Sequence, residues 1–236
     1  MYKEHPVFEP PEKNAIIWRY MDFPKFVWML DQRRLYFCNI DKFKIDDPFE
    51  GSCLPSKLLK GTTENVAKNY VEKMNSCGLP LTVNCWHLND CESAAMWKLY
   101  GGANKGIAIQ STFRKMIKAF EEFSDNVYIG KIRYIDYQNE IFNGKAPDKF
   151  EPILTKRKSF EHEKELRAVM WETSRETPRT NDGSVLSNVN LKELIENIYI
   201  SPFSPAWYRE SVQTIVKKFG LDVPVLQSEL DKKPLY

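Results

Sequence analysis

Apolar runs in this chain are short, and that limits what it can fold into. Ile16 to Tyr20, Leu35 to Asn39, Leu81 to Trp86, Gly106 to Gln110, Val127 to Tyr134, Leu166 to Trp171, Ile198 to Ser201 and Val223 to Leu226 each have the length and residue types of a β-strand. None approaches the roughly 20 apolar residues needed to span a bilayer. Pro224 inside the last run points to a sheet edge, where a missing amide donor is tolerated.

Helix-like segments lie between these runs. Asp22 can cap a helix whose first turn holds Pro24 and whose apolar residues are Phe26, Trp28, Met29 and Leu30, ending near Asp31-Gln32. Residues 62–76 carry Val66, Tyr70, Val71 and Met74 at helical spacing. Ser93 can cap a short helix through Trp97 and Tyr100, broken by Gly101-Gly102. Further helices are expected over 112–123, 156–162, 191–196 and 205–219. With no repeat and no linker, the pattern predicts one α+β domain over residues 1–236, a mixed, largely antiparallel sheet flanked by helices. Residues 1–14 read as an extended leader and 173–187 as a polar, mobile loop.

Hydrophobic residues make up 42% of the chain, enough to support a packed core. The formal charge of +2 gives no global pull toward nucleic acid or membrane, so any such contact needs a local patch. The polar, proline-containing N-terminus lacks the apolar run of a signal peptide. Five scattered cysteines then read as reduced thiols, and the expected compartment is the cytoplasm.

Several clusters could carry chemistry. In an extended segment Glu163, Glu165 and Arg167 would share a face, either as an ionised acidic pair beside a guanidinium or as a solvent-facing ladder. Arg19 lies inside an apolar strand and needs an anion, either a bound phosphate or Glu163, Glu165 or Asp47. Asp46, Asp47 and Glu50 could hold a divalent cation, or build a turn beside Pro48. Trp97 and Tyr100 share a helical face and could stack a base or pack into the core. Lys156-Arg157-Lys158 could meet phosphates or form a solvated helix face. His162 could act as an acid or base, or sit at the surface. Cys85, His87 and Cys91 lack a fourth zinc ligand, so no metal is expected.

Six blocks together resemble a bacterial family catalogued as domain of unknown function twenty-nine seventy-one. They are Trp18-Arg19-Tyr20, Leu35-Tyr36-Phe37, Asp46-Asp47-Pro48-Phe49-Glu50-Gly51, Met96-Trp97-Lys98-Leu99-Tyr100, Lys105-Gly106-Ile107-Ala108-Ile109 and Glu163-Lys164-Glu165-Leu166-Arg167. The family's asparagine-aspartate-proline is here Asp46-Asp47-Pro48. The resemblance implies a toxin, antiphage or abortive-infection effector. A second likeness, to ADP-ribosyltransferases, lies in the order of an Arg strand, an aromatic strand and a late strand opening on Glu. It lacks that superfamily's serine-threonine-serine and histidine-tyrosine patterns.

That likeness implies an ADP-ribosyltransferase-like fold with NAD as co-substrate. Arg19 would bind the ribose and pyrophosphate. Tyr36 or Phe37 would support the nicotinamide, with Trp97 and Tyr100 as further cofactor contacts. Glu163 or Glu165, beside Arg167, would stabilise an oxocarbenium-like transition state. The target would be a protein or a nucleic acid, and nothing in the sequence sets an oligomeric state. Two other readings remain: a nuclease or nucleic-acid binder using the acidic loop and the basic run, and a non-catalytic defence sensor or antitoxin.

Overall fold

The computed structural model describes residues 1–51, 81–102, 105–137, 148, 150–171, 174 and 176–234. The helix expected over 62–76 and most of the polar stretch at 136–148 lie outside the described residues.

The first strand and helix form as the local chemistry dictates. β1 (Ile16–Asp22) runs into α1 (Phe23–Gln32) at Asp22, whose Oδ1 accepts the Lys25 amide at 2.8 Å. Arg33, in the left-handed region at φ 52°, ends α1 and turns the chain into β2 (Arg34–Asn39). The same capping recurs after β3 (Thr82–Leu88), where Ser93 Oγ accepts the Met96 amide at 3.3 Å and starts α2 (Ala94–Tyr100). It recurs again after β4 (Gly106–Thr112), where Thr112 Oγ1 accepts the Lys115 amide at 3.3 Å and starts α3 (Phe113–Ala119).

The remaining elements are β5 (Tyr128–Lys131), β6 (Arg133–Ile135), β7 (Thr155–Arg157), β8 (Glu165–Met170), β9 (Val185–Asn188), α4 (Leu191–Leu194), β10 (Asn197–Ile200), α5 (Ala206–Lys218) and β11 (Val225–Gln227). Among the described residues nine strands join in one sheet, in the order β11-β10-β4-β1-β3-β2-β9, with β8 on β3 and β5 on β8. Every pairing in it is antiparallel except β10 with β11, which is parallel. The fold is thus the expected α+β class, and β11 lies at the sheet end as Pro224 suggested.

Four local expectations change. The run Val127 to Tyr134 divides at Ile132, so that β5 joins β8 while β6 joins β7 in a separate parallel pair. Residues 156–162 are not one helix: they form the end of β7 and a 3₁₀ turn over Lys158–Glu163. Residues 185–187 of the expected loop belong to β9, which pairs with β2, and Ser184 and Ser187 are fully buried. The N-terminal segment is extended but packed: Tyr2 bridges Val127, and Phe8 is buried against Tyr128 and Phe150.

The main core fills one side of the sheet. Ile17, Phe37, Trp86, Ile107, Ile109 and Met170 meet Phe26, Met29 and Leu30 of α1, Met116 of α3 and Val212 and Val216 of α5. Two smaller apolar clusters lie apart from it, one around Val83, Phe150 and Val169, the other around Trp18, Tyr20, Met96 and Trp97.

One irregularity of the sheet shapes a cavity. β8 pairs with β3 from Thr82 to His87. On the opposite edge β1 pairs with β3 only through Ile17 and Trp18, and β2 only through Cys38 and Asn39. Asn84, Cys85 and Trp86 therefore lack a ladder partner on that edge. Side chains fill the gap: Arg19 Nη1 donates to Cys85 O at 3.1 Å, and Asn84 Nδ2 donates to Tyr36 O at 2.9 Å. The notch where β1 and β2 part is the floor of a cavity.

Candidate active site

That cavity, roughly 510 Å³, is lined by residues of β1, β2, β3 and α2 together with Lys156, Glu163 and Glu165. Its volume is in the range of small-molecule and cofactor sites. Of the sequence-predicted residues, Arg19, Tyr36, Tyr100, Glu163 and Glu165 line it.

Arg19 is half-buried. By the two-residue period of a strand its Cβ lies on the side of Ile17 and Met21. Beyond the point where β1 has left β3, its guanidinium reaches the Cys85 carbonyl, 6.0 Å from the Trp86 ring centre. Among the described residues it enters no ion pair. Burial pulls its pKa below the ordinary arginine value, with the Cys85 and Cys38 thiols as its electrostatic neighbours. The internal salt bridge to Glu163, Glu165 or Asp47 is absent among the described residues. A desolvated cation without an anion favours an anionic ligand.

The acidic side is a different environment. Arg167 is completely buried and grips Glu165 with two bonds, Nε to Oε1 at 2.8 Å and Nη2 to Oε2 at 2.9 Å. Its Nη1 donates to Glu50 Oε1 and to Ile153 O, both at 2.7 Å. Lys156, buried in turn, stands 2.5 Å from Glu163, 3.5 Å from Glu165 and 3.6 Å from Glu50. Three carboxylates against two cations leave one formal negative charge. Burial opposes ionisation of Glu165, but Arg167 and Lys156 outweigh it and hold its pKa at about 2. Burial likewise opposes the charge on Lys156, and the three glutamates overcome it and raise its pKa.

Aromatic and polar groups complete the wall. Tyr100 OH donates to Glu163 Oε1 at 3.0 Å, and burial with the Glu163 charge raises its pKa. Tyr36 OH bonds Ser184 Oγ at 2.8 Å, which fixes its ring at the β2 side. His87 Nδ1 lies 2.6 Å from the Glu163 carbonyl oxygen, an acceptor only, so Nδ1 carries the proton. Burial lowers the His87 pKa, which keeps that ring neutral.

Three sequence-predicted residues do not line the cavity. Phe37 points into the main core, edge-on to Phe120 with ring centres 6.0 Å apart, because it alternates with Tyr36 along β2. Trp97 packs edge-on against Tyr20 at 5.0 Å and donates to Glu92, so it braces the wall. Arg167 lies beneath the surface, behind Glu165. Glu163 does not share a strand face with Glu165: Lys164 between them is left-handed at φ 39°, which breaks the two-residue alternation.

Sequence reasoning also missed members. Lys156 belonged to a basic run read as a surface patch, yet Ile153-Leu154-Thr155 before it is buried and carries it inward. Glu50 read as a turn acid or cation ligand, and it is committed to Arg167 and Lys156. Asp47 is paired with Arg157 at 2.9 Å, and it accepts the Phe49 amide, the expected turn bond. Two acids of the loop, Asp47 and Glu50, are thus paired with Arg157 and Lys156 of the basic run. Among the described residues no group of three His, Cys, Asp or Glu side chains is placed to hold a metal ion. His162 is exposed.

Comparison with known proteins adds a likeness of outline. No family model matches the chain, and no curated protein matches it in sequence. It is similar to the solved structure of Thermus sp. 2.9 DarT in complex with NAD+, at 12% identity over 94% of this chain and 99% of that one, with a TM-score of 0.42. It is also similar to the same protein in complex with ADP-ribosylated ssDNA, at 12% identity over 94% and 97% of the two chains and a TM-score of 0.45. No helix among the described residues is long and apolar enough to cross a membrane.

Proposed function

We propose that this chain breaks the nicotinamide–ribose bond of NAD and passes the ADP-ribosyl group to an acceptor. The observation that carries the reading is a single cavity in which Arg19, a cation without a carboxylate partner among the described residues, faces a cluster with surplus negative charge at Glu163 and Glu165. Arg19 binds the pyrophosphate through charge-assisted bonds. Tyr36 offers its ring to the nicotinamide. A fixed carboxylate opposes the positive charge that builds at the ribose carbon, the kind of preorganised electrostatics that supplies most catalytic power. The bond to nicotinamide breaks with both electrons leaving on the neutral base. A lone pair of the acceptor forms the new bond, and the acceptor then loses its proton. Water as acceptor makes the reaction a glycohydrolysis.

Support comes from charge placement, size and aromatic lining together. The test is nicotinamide release and transfer of label from NAD, with water, single-stranded DNA and bacterial protein compared as acceptors. Arg19→Ala is expected to raise the KM for NAD by about tenfold or more while the protein stays folded. A wild-type protein that neither binds NAD in calorimetry nor releases nicotinamide would refute the reading. A toxin or antiphage role belongs to the same proposal: induced expression is expected to slow bacterial growth, and Arg19→Ala to relieve it.

A further inference from the structure

The two candidate glutamates are not equivalent, and the difference can be counted. A carboxylate has roughly four lone-pair sites in its plane. Glu165 spends three of them, on two bonds from Arg167 and one from the Cys85 thiol, with Lys156 3.5 Å away as an ion pair. Among the described residues Glu163 receives Tyr100 on Oε1 and Lys156 on Oε2, which leaves about two sites open. The two glutamates are almost equally buried, at 7% and 5% exposed, but their partners differ: Tyr100, which holds Glu163, is 45% exposed, whereas Arg167, which holds Glu165, is 0% exposed.

We infer that Glu163 is the carboxylate that meets the ribosyl group, and that Glu165 is a positioning residue that acts through Lys156 and Arg167. The inference rests on the NAD-cleaving reading above. Glu163 is anchored for such work from three elements. Tyr100 of α2 and Lys156 of β7 hold its carboxylate, and His87 of β3 donates to its backbone carbonyl. The left-handed Lys164 that follows turns Glu163 out of the β8 register, and the Lys164 carbonyl accepts the Leu88 amide at 2.8 Å. A strained corner of this kind persists only where its surroundings fix it, as they do here. Tyr100 and Lys156 also divide the labour on Glu163: each takes one oxygen, and together they set the rotation of the carboxylate plane toward the cavity.

The experiment compares wild type, Glu163→Gln, Glu165→Asp, Glu165→Gln and Tyr100→Phe in the full chain. It reads nicotinamide release, NAD affinity and thermal midpoint. Glu163→Gln is expected to lower kcat by about a hundredfold or more, with NAD affinity within about threefold of wild type. Tyr100→Phe is expected to lower kcat by about tenfold at unchanged KM. Glu165→Gln is expected to lose thermal stability, and Glu165→Asp, which keeps the charge opposite Arg167, to retain kcat within about tenfold. Glu163→Gln with wild-type kcat overturns the inference whether or not Glu165→Gln folds. So does a folded, NAD-binding Glu165→Asp that is as inactive as Glu163→Gln is expected to be. A wild-type protein that releases no nicotinamide withdraws the NAD reading itself, and this inference with it.

Discussion

Arg167→Met tests whether the buried charge cluster holds this fold together. Methionine is the closest uncharged replacement in length, so the change removes charge and donors with little change of shape. The variant loses both bonds to Glu165, the bond to Glu50 and the bond to the Ile153 carbonyl. Two buried carboxylates are then left with Lys156 as their cation, at 3.5 and 3.6 Å. Breaking a buried pair by removing one partner costs about 3–5 kcal/mol. In a chain of this size each kcal/mol moves the thermal midpoint by roughly 2–4 °C, so a drop of about 6–20 °C is expected at pH 7. The effect also has a pH signature. Without Arg167, burial pushes the Glu165 pKa up instead of down, so a proton relieves the penalty. The gap between wild type and variant therefore narrows as the pH falls from 7 to 5. The assay is urea and thermal unfolding of both proteins across that range. A loss below about 1 kcal/mol at pH 7, or a gap independent of pH, would refute the claim that these carboxylates are dry and dependent on Arg167.

Acid should unfold the wild type in a defined window. Glu165 titrates at about 2 in the fold against 4.5 ordinarily, so its contribution of about 3 kcal/mol is fully present above pH 4.5 and is lost as the pH falls toward 2. Urea midpoints across that window are expected to fall more steeply for wild type than for Glu165→Gln. Asn84→Ala tests the notch: it strands the Tyr36 carbonyl and the Trp86 indole N–H, which Asn84 Oδ1 accepts at 2.7 Å, and it is expected to cost about 2–4 kcal/mol in urea unfolding. A loss under about 0.5 kcal/mol would mean that water takes its place.

The strands and helices were largely legible because their signals are local. Asp22 and Ser93 accept amides at the helix starts expected of them, Thr112 caps the helix expected to begin there, and Pro224 lies beside an edge strand. What stayed hidden depends on partners distant in sequence. Lys156-Arg157-Lys158 looks like a solvated run by composition, and only the path of β7 carries Lys156 to three glutamates. Phe37 and Tyr36 are adjacent aromatics in one strand, and only the position of the core decides which of them reaches the cavity.

Arg19 and Arg167 make the same point about charge. Each is a guanidinium inside a short apolar strand, but Arg167 has an acid two residues before it on the same face and Arg19 has none. β8 is paired on both edges, so Arg167 is enclosed, and it is satisfied by Glu165, Glu50 and a carbonyl. β1 parts from β3 after Trp18, so among the described residues Arg19 finds one carbonyl, beside a cavity. A buried cation is satisfied by whatever the register of its strand brings within reach. Where the register ends early, as in β1, the partner we propose is a ligand anion.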